Sequence, residues 1–274
     1  MNKRIKVIYI LGAGHSGSTL LDLLLGSHSQ VESVGEINNF YDYISPKTDH
    51  LKGIRYCTCG THVDECPYWK PIRENLRSEF GTDEISLQPN DPKAFASHNQ
   101  LVFQSILDVS GKSVICDSSK IYSRLQGLLN ANGFDVEIIH LIRDSRAVAY
   151  SYKKKGEKFY PTLIAWLKVN LYEWFKLRKR KNYRLLRYED FVDNPEAALK
   201  EILKSAGLNF ESEQLLFWKH EHHNLGGNRM RNKGRQEIRK DTKYVQALTA
   251  TEWWACTLLS LPGLMLFRYP LRKK

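Results

Sequence analysis

Residues 10–21, ILGAGHSGSTLL, constrain the fold of this chain more than any other stretch. The apolar run from Val7 to Leu11 feeds directly into glycines, and the glycines lead into STLLDLLLGS, whose apolar spacing is helical. Strand, glycine loop and helix in that order make a cradle whose backbone N–H groups bind an anion at a helix N-terminus. Gly12, Gly17 and Thr19 keep the register of the phosphate-binding pattern G-x-x-x-x-G-K-[ST], but Ser18 stands where the lysine belongs. That lysine reaches the outer phosphates of a nucleoside triphosphate, so a loop without it suits a nucleotide carrying less charge at that end. The hydroxyls of Ser16, Ser18 and Thr19 add donors to the cradle.

The rest of the chain alternates in the same sense. Helical patterns at DPKAFASHNQLVFQSILDVSG, KIYSRLQGLLNANG, SRAVAYSYKKKG, TLIAWLKVNLYEWFKLRKRK and PEAALKEILKSAGL are separated by short strand patterns at SVIC, VEIIHLI and YRLLRY. Another short apolar strand is expected between the first helix and Glu36. Such alternation predicts an α/β fold, a doubly wound parallel sheet with helices on both faces, and we expect one domain over residues 1–274. In that architecture ligands sit beyond the carboxyl ends of the strands. The residues that follow the strands, Gly12 to Thr19, Asp117 to Lys120, Arg143 to Ser145 and Tyr188 to Asp190, are a polar set. Arg143 ends a strand and Ser151 lies eight residues on, so a guanidinium fork and a hydroxyl two turns along suit one phosphate. The alternative at this point is a local ion pair between Arg143 and Asp144.

Lys and Arg total 41 against 30 Asp and Glu, a formal charge of +11, which favours an anionic partner. Nucleic acid is not expected, because the aromatics fall in helical stripes rather than beside the basic runs. Val7 to Leu11 is too short for a signal peptide, and WWACTLLSLPGLMLF, interrupted by Pro262, is too short to span a bilayer. The latter reads as a core-packing helix, with peripheral membrane contact beside the basic Arg272, Lys273 and Lys274 as the alternative. Five cysteines without an export signal point to reduced thiols and a cytoplasmic protein.

Taken together, GAGHSGSTLL, LIRDSRAVAYS, RYEDFVDNPEAALKEIL and GNRMRNKG resemble the sulfotransferases that use 3'-phosphoadenosine 5'-phosphosulfate (PAPS), over about residues 5–240. The resemblance implies a P-loop-like sheet and transfer of a sulfuryl group from PAPS to an acceptor hydroxyl or amine, leaving 3',5'-adenosine bisphosphate. Ala13, Gly14, His15, Ser16, Gly17, Ser18 and Thr19 look like the cradle for the 5'-phosphosulfate, and Arg143 and Ser151 like the clamp on the 3'-phosphate. Asn228, Arg229 and Arg231 look like part of a basic loop, about residues 219–240, that closes over the same end, and Tyr188 falls where the family contacts adenine. Asp117, Ser118, Ser119 and Lys120 resemble the strand-end segment beside donor and acceptor.

His15 departs from the family, which carries Lys or Arg there, so it either gains a charge from bound phosphate or serves as a neutral base. Glu36, in a Gly-Glu context like that of carbohydrate and tyrosyl-protein sulfotransferases, is the stronger candidate for general base. Its bland alternative is a capping or salt-bridging glutamate. The catalytic set is thus Glu36, His15 and Lys120, with no metal required, and a carbohydrate-like or lipid-linked acceptor is slightly favoured. A kinase or NTPase holding magnesium at Asp117 is the rival reading, and a catalytically inactive nucleotide-binding protein is a third.

Cys57, Cys59, His62 and Cys66 lie in an insertion of about residues 45–70 and have the ligand types of a zinc cluster. Their C-x-C-x2-H-x3-C spacing is not that of a standard finger, so a loop held by packing or by one disulfide is expected instead. Cys116 and Cys256 read as core thiols, and His220, His222 and His223 as lining the approach to GNRMR.

Overall fold

The computed structural model describes residues 4–45, 56–226 and 237–273. Five parallel strands, β1 (Ile5–Leu11), β2 (Val31–Gly35), β3 (Val114–Asp117), β4 (Phe134–Ile142) and β5 (Tyr183–Arg187), form one sheet in the order β2-β3-β1-β4-β5. The central β1 pairs with β3 on one side and with β4 on the other, from Ile5↔Phe134 to Leu11↔His140. The chain therefore fills one side of β1 before crossing to the other, which puts the switch point at the carboxyl ends of β1 and β4.

Alternation along β1 builds both faces of the core. Ile5, Val7, Tyr9 and Leu11 pack with Trp69 of α3 (Trp69–Phe80), Phe95 and Phe103 of α4 (Pro92–Ser110) and Leu125 of α5 (Tyr122–Asn130). Ile8 and Ile10 pack with Leu20, Leu21 and Leu24 of α1 (Ser18–Gly26), Phe191 of α8 (Tyr188–Asp193) and Ile202 of α9 (Pro195–Ser205). Because the strand is covered on both sides, it reads as a continuous apolar run. The short α2 (Phe40–Ile44) follows Glu36 through a single 3₁₀ turn, and α6 (Ser145–Lys153) and α7 (Phe159–Leu177) connect β4 to β5.

Caps set several of these boundaries. Asp91 accepts from the Lys93 and Ala94 amides with Pro92 at the first turn, and Asn194 accepts from Ala197 with Pro195 in the same role. The expected C-terminal helix is instead two, α11 (Ala250–Leu259) and α12 (Leu261–Leu266), which follow the short α10 (Lys243–Ala247). Pro262 opens α12, where its missing N–H costs nothing. Trp253, Cys256 and Leu264 pack inward, while Trp254, Leu258 and Met265 are exposed. No helix among the described residues is long and apolar enough to cross a membrane.

Candidate active site

Beyond Leu11 the chain turns tightly and enters α1 with Gly17 as its N-cap, at φ 96°. A Cβ on Gly17 would lie 2.3 Å from the Tyr188 ring, and one on Gly14 would lie 2.2 Å from the Tyr152 hydroxyl. Two tyrosines, from α8 and α6, therefore press the loop into shape, and glycine is needed where they touch it. Ser16 donates its amide to Ala13 at 3.3 Å, while its hydroxyl is buried without a partner. His15 adopts the left-handed φ of 63°.

The loop forms one wall of a cleft of about 580 Å³ at the switch point. Gly14, His15, Gly17, Ser18, Thr19, Glu36, Lys120, Arg143, Ser151 and Tyr188 all line it, so residues far apart in the chain converge there. Ala13 lines the adjoining cavity, and Asn228, Arg229 and Arg231 lie outside the described residues. The cleft also takes Tyr152, Lys154, Lys155 and Asp241, which sequence reasoning did not single out as ligands. The lysines had a signal, since KKK begins two residues after Ser151, where that helix ends. Asp241 had none.

Arg143 lies over the Tyr188 ring, 4.6 Å from its centroid. Its Nη1 donates to the His15 carbonyl at 3.3 Å and its Nη2 to Asp241 at 3.4 Å, while Nε is buried without a partner. The local alternative, pairing with Asp144, is not what forms. Asp144 caps α6 and forks onto Arg146, with Nε–Oδ1 at 2.8 Å and Nη2–Oδ2 at 2.6 Å, leaving Arg143 to face the cleft. Ser151 Oγ is 3.0 Å from His15 Nδ1, which links α6 to the loop. Burial, assisted by Lys155, Arg143, Lys120 and Lys154, lowers the His15 pKa to about 4. The imidazole is therefore neutral at pH 7 in the unliganded protein.

Glu36 leaves the end of β2 and points its carboxylate at Lys120, whose Nζ donates to Oε1 at 2.5 Å and to the Ser118 carbonyl at 3.1 Å. Lys120 takes φ 63° to make this turn out of β3. The salt-bridging alternative for Glu36 is thus realised, but inside the cleft rather than on open surface. Asp117, the magnesium candidate of the kinase reading, is engaged elsewhere. Both it and Arg124 are 0% exposed, and they pair at 2.9 Å, with the Ser119 amide on the second carboxylate oxygen.

Behind the loop lies a polar network without a sequence signal. Asp22 of α1 is buried and is bonded by Asn224, by Ser33 and, at 3.5 Å, by the Cys116 thiol. Leu225, next in the chain, extends the sheet beyond β2: its carbonyl accepts from the Glu36 amide at 2.6 Å and its amide donates to Val34. Among the cysteine-loop candidates, His62 turns away to Asp64, 3.2 Å distant, and packs on Tyr56. The cysteines are free thiols, and the imidazole that meets Cys57 and Cys66 is that of His223.

A sequence model of the sulfotransferase family matches residues 7–212. No curated protein matches the chain. Among solved structures, the sulfotransferase domain of the Synechococcus PCC 7002 olefin synthase aligns at 19% identity and a TM-score of 0.60, covering 99% of this chain and 98% of that one. The sulfotransferase domain from the curacin biosynthetic pathway aligns at 18% and 0.57, covering 98% and 100%. At these identities the likeness is one of fold.

Proposed function

The chain belongs to the sulfotransferase family, and from that premise we propose that its cleft takes PAPS and delivers the sulfuryl group to an acceptor hydroxyl or amine. The observation that carries this reading is the convergence of the lysine-free loop with Arg143, Ser151 and Tyr188 on one cleft, faced by Glu36 and Lys120. The residues fit such a donor. Ser16 Oγ and Arg143 Nε are buried with no hydrogen-bond partner, and the bonds Arg143 does make, at 3.3 and 3.4 Å, are long. Lys120, Lys154 and Lys155 add positive charge around the same space.

In this reading the amides of 13–19 and the hydroxyls of Ser16, Ser18 and Thr19 bind the 5'-phosphosulfate. Arg143 and Ser151 hold the 3'-phosphate, and Tyr188 meets the adenine. When bound, PAPS supplies a sulfuryl group whose bond to the 5'-phosphate oxygen breaks as the acceptor oxygen bonds to sulfur, and 3',5'-adenosine bisphosphate departs. Glu36 takes the acceptor's proton, while Lys120, Ser18 and the loop amides balance charge on the leaving and equatorial oxygens. His15 is a neutral donor or acceptor until anionic phosphate offsets the surrounding lysines.

An adjoining cavity of about 600 Å³ shares Gly14 and Tyr152 with the cleft and is lined by Val148, Pro161, Trp166 and Val169. Its apolar walls support a lipid-linked hydroxyl, and the exposed Trp254, Leu258 and Met265 on helices packed beside α7 support peripheral contact with a membrane that presents one.

The test is transfer of labelled sulfate from PAPS to a panel of lipid-linked and free saccharides in the presence of EDTA. Glu36→Gln is expected to lower kcat by roughly 10²–10⁴-fold while binding of 3',5'-adenosine bisphosphate stays within about twofold of wild type. Transfer that requires magnesium, or Glu36→Gln at the wild-type rate, would overturn the assignment.

A further inference from the structure

The cysteine insertion and a segment more than 150 residues away meet in a second cluster, separate from the cleft. The Sγ atoms of Cys57, Cys59 and Cys66 and a ring nitrogen of His223 all lie within 4.8 Å of one another. His223 Nδ1 is 3.4 Å from Cys57 Sγ and 3.5 Å from Cys66 Sγ, and Cys59 and Cys66 are 3.7 Å apart at sulfur. A tetrahedral zinc ion with Zn–S of about 2.3 Å and Zn–N of about 2.05 Å has S···S edges of about 3.8 Å and S···N edges of about 3.6 Å. The distances match these edges, and they are far longer than the S–S bond of a disulfide.

The surroundings match as well. Cys57 opens a tight turn that contains Cys59, in which the Gly60 amide donates to the Cys57 carbonyl at 3.0 Å and Gly60 takes φ 91°; the two sulfurs lie within 4.8 Å of each other. The second ring nitrogen of His223, Nε2, faces the Glu221 carboxylate at 3.4 Å, the arrangement that orients a metal-bound imidazole and presents its other nitrogen. The ring stacks on Tyr68 at 4.6 Å and 2°, and its carbonyl accepts from Trp69 Nε1 at 2.9 Å. Cys57 and Cys66 are buried, which suits a closed structural centre rather than an open catalytic one.

We propose that Cys57, Cys59, Cys66 and His223 bind one structural zinc ion, which ties the 57–66 insertion to the segment that backs the active-site cleft. Binding replaces three thiol protons, released to solvent, with three Zn–S bonds, and the neutral imidazole completes the set. His223 is followed by Asn224, whose side chain bonds Asp22 and whose carbonyl accepts from Thr58 at 3.0 Å, and by Leu225, which holds the Glu36 amide. The ion thus fixes the backbone on which Glu36 rests without touching the reacting atoms. This inference stands independently of the donor and acceptor assigned above.

The experiment is metal analysis of protein produced with zinc supplied and kept reduced, followed by cobalt(II) exchange and a thermal melt with and without a strong chelator. One zinc per chain, a tetrahedral thiolate spectrum with cobalt, and a melting temperature lowered by the chelator are expected. His223→Ala is expected to weaken zinc at least tenfold in a chelator competition, whereas His62→Ala leaves it unchanged. Wild-type protein with its thiols reduced and no zinc above background would overturn the proposal, as would loss of the metal in His62→Ala but not in His223→Ala. The wild-type measurements decide the matter even if a ligand variant fails to fold.

Discussion

Asp22 shows how much a single buried group shapes the stability of this protein. Burial pushes its carboxyl up to about 7 against the pull of hydrogen bonds from Ser33, Cys116 and Asn224. Between about pH 4 and 7 the folded state holds a proton that the unfolded chain has lost, so the contribution of Asp22 to stability falls as pH rises. His15, lowered to about 4, acts with the opposite sign: between about pH 6.5 and 4 only the unfolded chain is protonated, so stability is lost as pH falls. Asp22→Asn removes the first contribution and keeps the second. Its melting temperature is therefore expected to climb more steeply than that of wild type between about pH 5 and 6.5, and identical slopes would contradict the assignment. None of this was legible in STLLDLLLGS, where Asp22 reads as a lone polar residue on a helix. Arg143 was legible because its place after β4 aims it at the cleft, yet whether Asp144 or a ligand engages it depended on Arg146, whose fork onto Asp144 is a three-dimensional fact. The neighbour of the cysteines was illegible for the same reason: His62 is near them in sequence, but His223 is near them in space.

At the scale of elements, the glycine loop is held by what presses on it. Gly17 combines φ 96° with the Tyr188 ring 2.3 Å from the position of a Cβ. Gly17→Ala is expected to cost on the order of 1–2 kcal/mol for the left-handed backbone alone, and more for displacing Tyr188. A melting temperature lower by at least a few degrees, with weaker binding of adenosine bisphosphate, is the expected result in a thermal melt and a titration. Strands and long helices could be read from the chain because their signals are local: continuous apolar runs for strands covered on both faces, 3.6-residue spacing for α4 and α7, and Pro92 and Gly111 at the ends of α4. The pairing of Leu225 beside Gly35 could not, since it spans most of the sequence and rests on one bridge. The split between α11 and α12 was signalled by Pro262, which begins a helix as readily as it interrupts one.

At the scale of the whole molecule, the order β2-β3-β1-β4-β5 explains why one cleft collects residues from Gly14 to Asp241. Every strand is parallel, so all carboxyl ends open on the same edge, and the crossing from β3 to β4 parts the loops at β1 and β4. The formal charge of +11 gives the molecule a field that draws anions, and the cleft concentrates it in Lys120, Arg143, Lys154 and Lys155. In the function proposed above, this cleft is a PAPS site with Arg143 on the 3'-phosphate. Calorimetric titration of 3',5'-adenosine bisphosphate and of magnesium ATP into wild type and Arg143→Ala tests it most directly. Removing charge-assisted hydrogen bonds worth about 1.5–3 kcal/mol is expected to weaken the bisphosphate roughly ten- to a hundredfold, with magnesium ATP binding the wild type more weakly than the bisphosphate does. Equal bisphosphate affinity in the two proteins, or a preference for magnesium ATP, would contradict it.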